Sequence, residues 1–151
     1  MRAIKNVRLK YYDYSENNYY FVTICSNNKN KFLLDNERFI KDSLEKIELI
    51  KGVYTDYYII MPDHIHMIML LYDCKLKLGK VIRRFKAISS ASSGIHLWQP
   101  NYYEHVIRNE KALSKIRDYV ISNPEKYLLK FDEIYKEPLN ELSNYNRNEK
   151  L

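Results

Sequence analysis

Two apolar runs joined by a tight, proline-bearing connection stand near the middle of the chain, and they constrain its fold more than any other feature. Val53 to Met61 carries Val53, Tyr54, Tyr57, Tyr58, Ile59 and Ile60, and Ile65 to Tyr72 forms the second run. Both are rich in the β-branched and aromatic residues that suit a pleated surface. Because the connection Met61-Pro62-Asp63 is so short, the pair reads as an antiparallel hairpin. Pro62 falls at the turn, where its missing N–H removes no ladder hydrogen bond.

The apolar period alternates on either side of this hairpin. Tyr19 to Cys25 predicts a first strand, ended by Ser26-Asn27-Asn28. Over residues 36–51, Phe39, Ile40, Leu44, Ile47 and Ile50 recur at helical spacing, with Glu37, Lys41, Asp42, Glu45 and Glu48 opposite; Gly52 reads as the stop. Residues 75–92 predict a second helix on Leu76, Leu78, Val81, Ile82, Phe85 and Ile88, followed by a polar loop from Ser89 to Gly94. Leu97 to Gln99 and Glu104 to Arg108 read as short strand pieces. Glu110 to Ile121 forms a third helix on Leu113, Ile116, Val120 and Ile121, ended by Asn123-Pro124. The order βαββαβα predicts an α+β, ferredoxin-like fold, an antiparallel sheet with helices on one face. Residues 1–17 read as a basic, aromatic arm, 18–135 as the folded domain, and 136–151 as a flexible tail.

Charge and cysteines narrow the setting. A net charge of +6 and a pI of about 9.1 favour a polyanionic partner, nucleic acid first, although an ordinary basic domain would look the same. Cys25 and Cys74 lie in or beside apolar runs, and the start Met1-Arg2-Ala3-Ile4-Lys5 lacks an apolar leader core, so a cytoplasmic location is expected. No apolar run reaches the ~18 residues of a membrane span.

Chemistry must come from position, because 15 tyrosines make their number uninformative. On a strand, His64 and His66 point to one face while Ile65 points to the other. Two neutral imidazoles on one face are half of a divalent metal site; two exposed strand histidines give the same pattern. Tyr119 lies near the end of the third helix between Ile116 and Val120, and its helix position alone favours a core residue. Asn123 follows one turn later on the same face, although Pro124 biases residue 123 away from helical dihedrals. Arg83, Arg84, Lys86 and Arg108 accompany Trp98, Tyr102 and Tyr103; such mixtures contact phosphates and stack unpaired bases, or else form a solvated helix face beside core aromatics.

These segments together resemble the REP-associated tyrosine transposases, single-tyrosine members of the HUH endonucleases. Met61-Pro62-Asp63-His64-Ile65-His66 resembles the HUH motif, in which a bulky hydrophobe separates two histidines. The run from Trp98 through Glu104-His105-Val106-Ile107-Arg108 to Glu110 resembles a family signature, and Tyr119-Val120-Ile121-Ser122-Asn123-Pro124 the catalytic helix. Arg8 to Ser15 and Tyr20 to Cys25 also fit, so the resemblance spans residues 8–127. Asp63 departs from it, standing where Asn is usual.

The resemblance implies an enzyme that cuts and rejoins single-stranded DNA near hairpins through a 5′-phosphotyrosine intermediate. Tyr119 would be the nucleophile, and His64, His66 and Asn123 would bind Mg2+ or Mn2+. It also implies the ferredoxin-like fold and a monomer or homodimer. The competing reading is a non-catalytic single-strand nucleic-acid-binding module of the same fold, with exposed aromatics on its sheet.

Overall fold

The hairpin forms where the two apolar runs place it. In the computed structural model, which describes residues 17–122, β2 (Val53–Ile60) and β3 (His64–Leu71) are antiparallel neighbours. Met61 N–H donates to the His64 carbonyl at 2.8 Å to close the turn. The strand β1 (Asn18–Cys25) lies antiparallel to β3 on its other side, and β4 (Tyr103–Ile107) antiparallel to β1. The sheet order is β2-β3-β1-β4. The helices are α1 (Glu37–Ile47), α2 (Leu78–Ser93) and α3 (Glu110–Ile121), giving the expected βαββαβα order. Residues 1–16, Asn123 and the tail over 136–151 fall outside the described residues.

The helices divide between the two sheet faces, which corrects the expectation that they share one. Ile65, Met67, Met69 and Leu71 of β3 join Val22 and Ile24 of β1 in a core closed by Ile40, Leu44 and Ile47 of α1 and Val81, Ile82 and Phe85 of α2. The alternate residues Ile68 and Leu70, with Tyr19, Phe21 and Ile107, form a second core under Leu113, Ile116, Tyr119 and Val120 of α3. Side chains on a strand alternate, so a strand covered twice must be apolar at both parities. The ferredoxin-like βαββαβ part keeps both its helices on one face, and the seventh element takes the other.

Local chemistry explains the boundaries. The Asn109 side chain accepts from Ala112 N–H at 2.8 Å, an N-cap that starts α3. The Ser89–Gly94 segment, expected as a loop, instead continues α2 to Ser93, and Gly94 ends the helix in the left-handed region at φ 75°. Ser89 Oγ donates back to the Phe85 carbonyl at 2.8 Å, which lets a polar residue sit buried within a helix. Gly52 has φ 92°, and a Cβ there would lie 2.5 Å from the Tyr72 carbonyl oxygen, so no other residue fits the turn into β2. Among the described residues no helix is long and apolar enough to cross a membrane.

Candidate active site

Three candidate residues meet on the α3 side of the sheet. His64 and His66 alternate with Ile65 along β3, so both rings emerge on one face, 4.7 Å apart between centroids and nearly edge-to-face. The amphipathic helix α3 packs across this face and brings the Tyr119 ring to 5.5 Å from the His66 ring. Tyr119 Oη lies 3.4 Å from His66 Nε2. Tyr119 is only 4% exposed, so it is a core residue by packing as well as a neighbour of the histidine pair.

Surrounding side chains hold these rings. Phe21 of β1 stacks on His66 at 5.4 Å with an interplanar angle of 20°, and its edge meets Tyr119 at 6.0 Å. Thr23, directly across the ladder from His66, places Oγ1 2.8 Å from His66 Nδ1. Asp63 Oδ1 lies 2.8 Å from His64 Nδ1. The histidine's hydrogen bond is the first reason that the Asp63 carboxyl is held below the usual carboxylate range. Burial, reinforced by the nearby His64, lowers the His66 pKa to about 3. His66 is therefore neutral at physiological pH, the form in which an imidazole nitrogen carries a lone pair.

This donor set fits a divalent cation in part. Two neutral imidazoles face the same side with a phenol beside them, and both Nδ1 atoms are already engaged. Among the described residues no group of three or more His, Cys, Asp or Glu side chains is placed to hold a metal ion. The third ligand expected, Asn123, lies outside those residues. Cys25 stands opposite His64 in the ladder, and burial pushes its thiol up.

Helix α3 is anchored by a pair that sequence reasoning missed. A bulge in β2 between Thr55 and Tyr57 inserts Asp56 as an extra residue and reverses the strand's parity. Arg117 Nε donates to Asp56 Oδ2 at 2.6 Å, and the guanidinium lies 5.7 Å from the centres of both the Tyr19 and Tyr57 rings. The Asp56 side chain is fully inaccessible and that of Arg117 is 17% exposed.

The expected nucleic-acid residues divide. Arg83 and Arg84 are exposed on α2, whose apolar side packs on the sheet face opposite Tyr119, and Arg108 is exposed just before α3. Lys86 does not present its ammonium to a phosphate. Its Nζ donates to the carbonyls of Gln99, Pro100 and Asn101 at 2.8–3.2 Å, tying that loop to α2. Trp98 and Tyr102 correct the expectation of base-stacking rings. Trp98 is 2% exposed, packs on Phe85 and donates Nε1–H to Ser89 Oγ at 2.8 Å, while Tyr102 is wholly buried. Neither has a ring face open to a base.

Residues 13–123, most of the chain, match the family described as IS200-like transposase. The chain belongs to that family. It is 32% identical to an uncharacterized protein of Haemophilus influenzae, over 87% of this chain and 92% of that one. It is 24% identical to the REP-associated tyrosine transposase of Escherichia coli K12, over 72% and 67% of the two chains. Among solved structures, the REP-associated tyrosine transposase bound to a REP hairpin superposes with a TM-score of 0.66 at 24% identity, covering 78% of this chain and 71% of that one. This IS200-like transposase thus shares its fold with a relative captured on a hairpin.

Proposed function

We propose that this transposase is a metal-dependent single-strand DNA endonuclease and strand transferase with Tyr119 as its nucleophile. The observation that carries the reading is the 3.4 Å approach of Tyr119 Oη to His66 Nε2, made by residues 53 apart in sequence beneath α3. In the proposed step the Tyr119 oxygen bonds to phosphorus and the bond from phosphorus to the 3′ oxygen breaks. The phenol gives up one proton and the 3′ oxygen gains one, leaving a 5′-phosphotyrosine linkage and a free 3′-hydroxyl. Because the linkage keeps the phosphodiester's energy, a second 3′-hydroxyl reverses the step without ATP. His64, His66 and, from the family motif, Asn123 would hold Mg2+ or Mn2+, which supplies positive charge against the negative charge growing on the phosphoryl group. Phe21 and Thr23 hold His66 in place, and the apolar residues under α3 keep water from the phenol.

The hairpin carried by the solved relative supports hairpin-bearing single-stranded DNA as the substrate. The competing binding-module reading wants aromatics displayed on an open sheet face. Here α1 and α2 cover one face, α3 covers the other, and Trp98 and Tyr102 are buried.

The test is incubation with labelled single-stranded hairpin DNA and Mn2+, followed by a denaturing gel and mass spectrometry of the labelled peptide. A covalent adduct on Tyr119 is expected, absent in Tyr119→Phe and retained in Tyr103→Phe. Tyr119→Phe loses the long hydrogen bond to His66, worth about 0.5–1.5 kcal/mol, and keeps the ring's packing, so it should stay folded and bind DNA. Adduct formation by Tyr119→Phe would overturn the assignment.

A further inference from the structure

Each histidine of the site has its inward nitrogen occupied by a different kind of side chain, and those two contacts decide which nitrogen is left for a ligand. His64 Nδ1 lies 2.8 Å from the Asp63 carboxylate. An ionised carboxylate only accepts hydrogen bonds, so the proton belongs to Nδ1 and the lone pair of His64 belongs to Nε2. His66 Nδ1 lies 2.8 Å from Thr23 Oγ1, and its Nε2 lies 3.4 Å from Tyr119 Oη. Two hydroxyls on opposite nitrogens allow one consistent pattern that leaves a lone pair on the Tyr119 side. In it, Nδ1–H donates to Thr23, and Tyr119 O–H donates to Nε2.

The backbone sets both contacts. Thr23 is the direct ladder partner of His66, and Asp63 immediately precedes His64 at the close of the β2–β3 turn. Phe21 stacks on His66 and fixes the plane of its ring, and the Thr23 contact lies in that plane's reach at Nδ1. Ligating histidines depend on such partners for orientation and basicity, and removing one typically weakens metal affinity 10–100-fold.

We propose that Thr23 and Asp63 are positioning residues, each accepting the Nδ1–H of one histidine so that both imidazoles are offered through Nε2. This rests on the metal-site reading given above. It also gives a role to the acidic residue at 63, whose carboxylate accepts the Nδ1–H of the histidine beside it.

Two measurements on the full chain separate this proposal from the reading beneath it. Long-range 1H–15N spectra of metal-free, 15N-histidine-labelled protein report the tautomer of each ring. Both His64 and His66 should carry the proton on Nδ1. Thr23→Val should release His66 into a mixture with the Nε2–H form, while Thr23→Ser keeps the parental tautomer. Titration calorimetry with Mn2+ should show binding 10–100-fold weaker in Thr23→Val and in Asp63→Ala, with Thr23→Ser close to the parent. An Nε2–H tautomer in the parent, or unchanged Mn2+ affinity in both Thr23→Val and Asp63→Ala, overturns the positioning roles. A parent protein that takes up no Mn2+ overturns the metal reading instead, while its metal-free tautomers still decide whether Thr23 and Asp63 orient the rings.

Discussion

Replacing Asp56 by alanine should weaken the hold on the helix that carries Tyr119. The Arg117–Asp56 pair is 2.6 Å long, with an inaccessible carboxylate and a guanidinium whose side chain is 17% exposed. Breaking a buried pair by removing one partner costs about 3–5 kcal/mol, because the other charge is left without compensation. The residual exposure of Arg117 lets it regain some hydration, so Asp56→Ala belongs at the low end, about 3 kcal/mol. For a chain of this size that is a fall in Tm of roughly 6–12 °C. Arg117→Met takes the guanidinium from a carboxylate with no exposure and should cost nearer 5 kcal/mol, the upper end of the same range. The double variant Asp56→Leu with Arg117→Met strands nothing and keeps apolar contact with Tyr19 and Tyr57; it should lie within about 1 kcal/mol of the parent or above it. Urea unfolding followed through Trp98, the single tryptophan and a buried one, measures all four proteins. Single variants that each cost under about 1 kcal/mol would refute the argument, leaving apolar packing alone to hold α3.

Three further outcomes are expected. The double variant His64→Ala with His66→Ala should lose Mn2+ binding while staying folded; calorimetry would expose a wrong ligand assignment as unchanged affinity. In EDTA, stability should fall with acid: His66 stays neutral in the fold down to about pH 3, whereas the unfolded chain takes up its proton near 6.5. The contribution is therefore whole above 6.5 and is lost as pH drops towards 3, by up to about 1.4 kcal/mol per pH unit. Parallel unfolding curves for the parent and His66→Gln between pH 7.5 and 4.5 would contradict this. Finally, Arg83→Ala with Arg84→Ala should flatten the salt dependence of hairpin binding by about 0.7 in log–log slope for each phosphate no longer neutralised, and an unchanged slope would make these arginines a solvated face.

Features with a local physical origin were legible in the sequence. The hairpin follows from two β-rich runs and a proline turn, and α3 runs over Glu110–Ile121 as its apolar spacing predicts. The shared face of His64 and His66 follows from strand alternation alone. The sheet face taken by α3 is not the one expected, although a signal for it is present: from Ile65 to Leu71 β3 is apolar at every position except His66, the mark of a strand buried on both sides. Other features depend on neighbours far along the chain. Thr23 meets His66 only through the β1–β3 register, and Arg117 meets Asp56 only because one inserted residue reverses parity in β2. Trp98 and Tyr102 resemble stacking platforms in sequence because basic residues surround them there. In space Phe85 and Ser89 enclose Trp98, and the arginines of α2 are exposed.

The anchoring of α3 onto its own sheet also bears on how defective copies behave together. Tyr119, His64, His66, Thr23 and Asp63 all belong to one polypeptide, and the Arg117–Asp56 pair joins the tyrosine's helix to the same sheet that carries the histidines. In a site assembled this way the tyrosine and both histidines come from the same molecule. Mixing Tyr119→Phe protein with His66→Ala protein should therefore give no complementation, and the parent's cleavage per molecule should not change on dilution. Under the proposed function, an inactive copy in a cell would compete for hairpins without breaking the tyrosine–histidine set of an active one.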